Sequence, residues 1–240
     1  MGVTSRVLVV QHEDDDPIHL MGTWMAGVDL TVCRAHDGDA VPASIDGYDG
    51  LVVMGGAMGA HDDEKAPWLP AVRDLIRTSA DARVPTLGIC LGHQLCAVAL
   101  GGEIVVNPQG RQLGLLDVGW TAAAVDDELM RGLLGPRRAM HWNDDVVIDL
   151  PEGAVRLATA STGEVQAARH APTVWGIQWH PEVDDGLVAA WANEGGLSPS
   201  EKERLLDDLV QARRDLDEWW RPLAERFVEL TGTSRPAKTG

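Results

Sequence analysis

The 240-residue chain has one Tyr and one Phe, against nine Trp. Indole rings must therefore supply bulk that phenyl rings normally give a core. There are only three cysteines, Cys33, Cys90 and Cys96. This odd number shows no metal-ligand spacing, which argues against a disulfide framework and fits a reducing cytoplasm. Basic residues are also scarce: 20 Lys and Arg face 37 Asp and Glu, a formal net charge of -17. A field of that sign repels phosphate backbones, and no Lys/Arg cluster offsets it, so no nucleic-acid partner is expected. No apolar run approaches the roughly 20 residues a membrane span needs, and the N-terminus lacks the basic and apolar regions of a secretory signal. Apolar residues make up 45% of the chain, enough for a substantial core.

The first half alternates strand-like and helix-like segments. Arg6–Gln11, Leu30–Cys33, Leu51–Met54 and Val84–Ile89 read as short buried strands. Helices are expected over 18–27, over 67–80 with Leu69, Val72, Leu75 and Ile76 inward, and over 91–100 before Gly101-Gly102. Shorter strands are expected at 104–106, 115–121, 145–149 and 155–159, and a last one at 174–178. The pattern predicts an α/β fold: an open, doubly wound, mostly parallel flavodoxin-like sheet with a small antiparallel extension.

Residues 1–195 form the expected catalytic domain and 196–240 a helical extension. Ser198-Pro199-Ser200-Glu201 has the form of a capping box with Pro at the first helical position. Leu205, Leu209, Ala212, Leu216, Trp219 and Leu223 then make one apolar stripe. Pro222 is a candidate kink, and the end from 232 onward reads as frayed. The stripe can pack on its own domain, on a second copy in a homodimer, or on a separate enzyme.

Gly88-Ile89-Cys90-Leu91-Gly92 has the form of a nucleophile elbow with Cys in place of Ser. Thiolates are favoured at helix N-termini, and the amide of Leu91 points where an oxyanion would form. Alone, the pattern also suits a structural cysteine between glycines; Cys33 and Cys96 read as ordinary core. A nucleophile needs a base and the base an orienter. His180 follows an apolar strand and precedes Pro181-Glu182, so His180 is the candidate base and Glu182 the candidate orienter. Strand ends at the carboxyl side are where such sheets bind ligands. Gly55-Gly56, directly after the 51–54 strand, can bring a backbone amide to the reacting carbonyl, which assigns Gly56 to the oxyanion hole.

Gly88-Ile89-Cys90-Leu91-Gly92-His93-Gln94 and Gln178-Trp179-His180-Pro181-Glu182, in this order and spacing, resemble the nucleophile elbow and His-Pro-Glu signature of the class I (triad-type) glutamine amidotransferases. With Gly55-Gly56 and Pro67-Trp68-Leu69, the resemblance covers about residues 6 to 190, and the amidotransferase part of GMP synthase is similar. It implies hydrolysis of the glutamine side-chain amide through a thioester on Cys90, with glutamate and ammonia as products. Gln94 then matches a substrate-binding residue, while His141, in Ala139–Asp144, matches a loop lining the glutamine site or packs at the domain edge. His93 suits a polar surface, helix packing or substrate contact equally. Where relatives carry an acid-Ile-Gly-like segment this chain has Gln112-Leu113-Gly114, which leaves its specificity open.

No metal and no cofactor is implied. The partners implied are glutamine or another γ-glutamyl compound and a separate ammonia-accepting synthetase, since no such domain is seen in the chain. The alternatives are a stand-alone hydrolase of γ-glutamyl amides or peptides and a non-catalytic regulatory domain, the last of which predicts an eroded triad.

Overall fold

Apolar runs too short to alternate in polarity must be buried on both faces, and in the computed structural model, which describes residues 4–233, they are. Four such runs are β1 (Ser5–Gln11), β3 (Gly50–Val53), β4 (Thr86–Ile89) and β11 (Val174–Ile177); every residue of the last three is buried. With β2 (Val28–Arg34) they form a parallel array in the order β2-β1-β3-β4-β11. Beyond β11 the sheet turns antiparallel through β10 (Val165–Ala171), β8 (Asp145–Asp149) and β5 (Glu103–Val106), with β9 (Val155–Thr159) paired to β10. A separate two-stranded antiparallel sheet joins β6 (Gln112–Asp117) to β7 (Arg138–Asn143). This is the open α/β sheet with an antiparallel extension that the sequence predicts. The strands β7 and β10 lie outside the expected set, and β6 begins three residues before the anticipated strand.

Successive side chains of a strand point to opposite faces, and the core divides accordingly. Leu8, Val10, Leu51 and Val53 pack against α2 (Leu69–Asp81) and α3 (Leu91–Ala99). Val7, Val9, Val52 and Leu87 join a second cluster with α1 (His19–Trp24), α4 (Asp185–Glu194) and α5 (Pro199–Thr233). The helix expected over 18–27 is the six-residue α1.

The capping box at the start of α5 is formed. The Ser198 amide donates to Glu201 Oε2 (2.8 Å), and the Glu201 amide donates to Ser198 Oγ (3.4 Å). The helix runs continuously through Pro222. Its apolar face packs in cis, with Leu205, Leu209, Ala212, Leu216 and Leu223 buried in the same cluster as the sheet. Trp219 is only partly buried; its neighbour Trp220 takes the core position, 1% exposed, and its indole N–H donates to the Arg138 carbonyl (3.2 Å). Most of the tail expected to fray, 234–240, lies outside the described residues. Among the described residues no helix is long and apolar enough to cross a membrane.

Because α5 supplies core rather than decoration, Trp220→Ala is expected to lower unfolding free energy by about 3–5 kcal/mol, the range for emptying a large aromatic site. Denaturant unfolding of the full chain measures this. A loss below about 0.5 kcal/mol, as at an ordinary surface site, would contradict the packing.

Candidate active site

The turn between β4 and α3 is the most constrained backbone of the site. Cys90 adopts φ +50° and ψ -105°, a region L-residues rarely occupy. Two glycines permit the turn. A Cβ on Gly88 would lie 2.3 Å from the Gly92 carbonyl oxygen, and one on Gly92 would lie 2.0 Å from that of Val53. The Cys90 amide donates to the Ile177 carbonyl (2.9 Å), and its carbonyl accepts from the Gln94 amide (3.2 Å), tying the turn to β11 and α3. Gly92→Ala therefore forces backbone apart, and a destabilisation near the top of the roughly 1–3 kcal/mol range for overpacking is expected. A melting temperature equal to wild type would show that the turn has slack.

His180 sits just past β11, its amide donating to the Met140 carbonyl (2.8 Å). Its Nδ1 lies 2.7 Å from Glu182 Oε1, with both side chains buried. Burial by itself lowers the imidazole pKa. The Glu182 carboxylate, followed by Cys90, outweighs burial and holds His180 well above its ordinary value. The ring stands edge-on to Trp191 at 4.8 Å. The arrangement can store a proton on an imidazolium beside a sulfur.

Sequence reasoning misses Gln178, whose Nε2 lies 3.5 Å from Cys90 Sγ and whose Oε1 accepts from Gln94 Nε2 (3.4 Å). Gln94 Nε2 also donates to the Asp145 carbonyl (3.0 Å). Gln178 directly precedes Trp179-His180, so its place in the motif is the available signal.

Cys90, His180, Gln94 and Gly56 all line one cavity of about 290 Å³. Its wall also carries Arg111, stacked over Trp142 at 4.9 Å, and a majority of acids among its charged groups, including Glu13, Asp15, Asp144 and Glu194. The Leu91 side chain packs beneath Gly56, where a Cβ on the glycine would come within 3.1 Å of Leu91 Cδ2. His141 lies within β7 rather than on a loop, fully buried, with Nδ1 on the Ala139 carbonyl (3.1 Å) and its ring 6.4 Å from Trp179. Burial lowers its pKa to about 4. Among the described residues, neither Leu91 nor His141 lines the cavity. His93 is also wholly buried, its Nδ1 2.9 Å from His170 Nε2, which gives it a packing position under β11.

Asp16 is the other residue that sequence reasoning passes over. It lines the cavity yet is 5% exposed. It wedges against Gly55, where a Cβ would lie 2.1 Å from Asp16 Oδ2 and 3.0 Å from His180 Cε1. Its pKa is raised to about 8, chiefly by burial; His180 pulls it back, while Glu182, Glu13 and Asp15 raise it further.

Comparison with known proteins agrees with this architecture. The model of the class-I glutamine amidotransferases matches residues 23–188. The chain is 37% identical over 139 residues to one subunit of the glutamine-hydrolysing GMP synthase of Methanosarcina barkeri, covering 56% of this chain and 65% of that one. It is 34% identical over 143 residues to γ-glutamyl peptidase 4 of Arabidopsis thaliana, covering 59% of this chain and 56% of that one. Each match thus spans less than two thirds of the relative's own length. The crystal structure of a glutamine amidotransferase from Thermotoga maritima superposes with a TM-score of 0.85 at 26% identity, covering 95% of this chain and all of the other. The chain belongs to the class-I glutamine amidotransferase family.

Proposed function

We propose that the protein hydrolyses the side-chain amide of glutamine through a thioester on Cys90 and passes the ammonia to a separate synthetase. The observation that carries this reading is His180, held 2.7 Å from the buried Glu182 Oε1 through Nδ1 and lining the same cavity as Cys90. The Cys90 thiolate adds to the γ-carbonyl carbon, and amides of Gly56 and Leu91 receive the developing oxyanion. Imidazolium at His180 protonates the departing nitrogen; the C–N bond breaks, ammonia leaves and the thioester remains. His180 then takes a proton from water, whose oxygen adds to the thioester carbon. The C–S bond breaks, releasing glutamate and restoring thiolate and imidazolium. Glu182 holds the ring in orientation throughout.

Similarity to part of a GMP synthase supports delivery of ammonia to a partner enzyme. Similarity to a γ-glutamyl peptidase favours a second reading, hydrolysis of γ-glutamyl peptides with an amine as the leaving group. The full chain offered glutamine and, separately, γ-glutamyl dipeptides separates them. Equal amounts of ammonia and glutamate from glutamine support the first. Cleavage of dipeptides alone replaces it with the second, and turnover of neither defeats both.

A further inference from the structure

The charges around His180 do not balance. Glu182 is wholly buried, Asp16 is 5% exposed and His180 4% exposed. Two carboxyl groups thus share one imidazole in a place where an unpaired charge is expensive. Only one carboxylate oxygen, Glu182 Oε1, is spent on His180. Asp16 Oδ1 and Glu182 Oε2 have no hydrogen-bond partner in the protein. One oxygen from each acid and one nitrogen of His180 lie within 4.8 Å of one another, and among the described residues this is the one cluster of three such ligand-type groups. One imidazolium leaves a buried negative charge over if both acids ionise, and a Cys90 thiolate adds another. A proton on Asp16 reduces the excess, and so would a cation.

We propose that Asp16, His180 and Glu182 form an inhibitory site for a divalent ion of the zinc class. One imidazole nitrogen with two carboxylate oxygens is a donor set such ions accept, and a fourth position remains for solvent. Asp16 and His180 both line the cavity, which supplies the entry path. The ligands must be deprotonated, so the ion displaces the protons held on Asp16 and on the ligating nitrogen of His180. Gly55 makes the approach possible, because any side chain there would occupy the position of Asp16. Binding occupies the imidazole and the carboxylate that the proposed chemistry of Cys90 needs. That inhibition follows rests on the glutaminase reading; the binding itself does not.

The competing account is that zinc is captured by the Cys90 thiolate alone, as at any accessible thiol. Zinc titrated calorimetrically into the full-length Cys90→Ser protein, without substrate, distinguishes them. The proposal expects one zinc per chain to bind still, with Asp16→Asn on that background weakening affinity about 10-fold or more, the least that loss of a direct ligand should cost when outer partners cost 10- to 100-fold. Loss of the site in Cys90→Ser, or an unchanged affinity on adding Asp16→Asn, overturns it. Cobalt bound to the unmutated chain gives a second readout that needs no Asp16 variant to fold. Ligand-field absorption without a thiolate-to-cobalt charge-transfer band is expected; a strong charge-transfer band that Cys90→Ser removes would overturn the proposal. A protein that binds zinc as described but never hydrolyses glutamine would defeat the proposed function and leave the metal site standing.

Discussion

Replacing Cys90 with serine is expected to abolish release of ammonia from glutamine while leaving the fold intact. The hydroxyl is similar in size and can occupy the same φ +50° turn, but it is a far poorer nucleophile at neutral pH. Loss of the nucleophile in a serine protease costs on the order of 10⁶-fold in kcat, which sets the scale. Cys96→Ser is the control. Cys96 is fully buried in α3, and burial pushes its thiol pKa up, so it has neither access nor reactivity. That variant is expected to keep most activity while losing about 1–3 kcal/mol of stability if the buried hydroxyl is left unsatisfied. Inactivation by iodoacetamide that tracks labelling of Cys96 rather than Cys90 would reverse the assignment.

The second large effect separates proton transfer from orientation. His180→Ala removes the group proposed both to protonate the leaving nitrogen and to activate water. Glu182→Gln keeps a hydrogen-bonding oxygen within reach of Nδ1 but removes the carboxylate that holds His180 well above its ordinary pKa. In a serine triad the acid-to-amide change costs roughly 10⁴-fold. A cysteine enzyme depends on it less, because the thiolate can form before substrate arrives. The expected order of loss in kcat/KM is therefore His180→Ala greater than Glu182→Gln. Equal losses would show that the carboxylate is as necessary as the base.

What is legible in the sequence follows from how local each cause is. The elbow can be read because its glycines are demanded by contacts within a few residues and with one neighbouring strand, as the 2.0 Å clash at Gly92 shows. The start of α5 can be read because a capping box is satisfied inside four residues. The apolar stripe points to Trp219 rather than Trp220 because the two are adjacent, and only packing across β7 chooses which ring turns inward. The strands β7 and β10 carry His, Arg, Gln and Asn among their apolar residues, and their burial depends on partners distant in the chain. For the same reason His141 reads as a loop residue. Asp16 stands in an acidic run with Asp14 and Asp15, and nothing local marks it. Its burial arises from Gly55 and His180, brought to the same spot by the ends of β3 and β11.

The proposed hydrolysis requires an acyl group carried by Cys90. Acid quenching of the full chain during turnover of glutamine, followed by intact-mass measurement and peptide mapping, tests this directly. A glutamyl adduct on the peptide containing Cys90, absent from the Cys90→Ser protein and lost on incubation with hydroxylamine as the γ-hydroxamate appears, is the result expected. Sustained ammonia release with no adduct on Cys90 and no hydroxamate formed would contradict it.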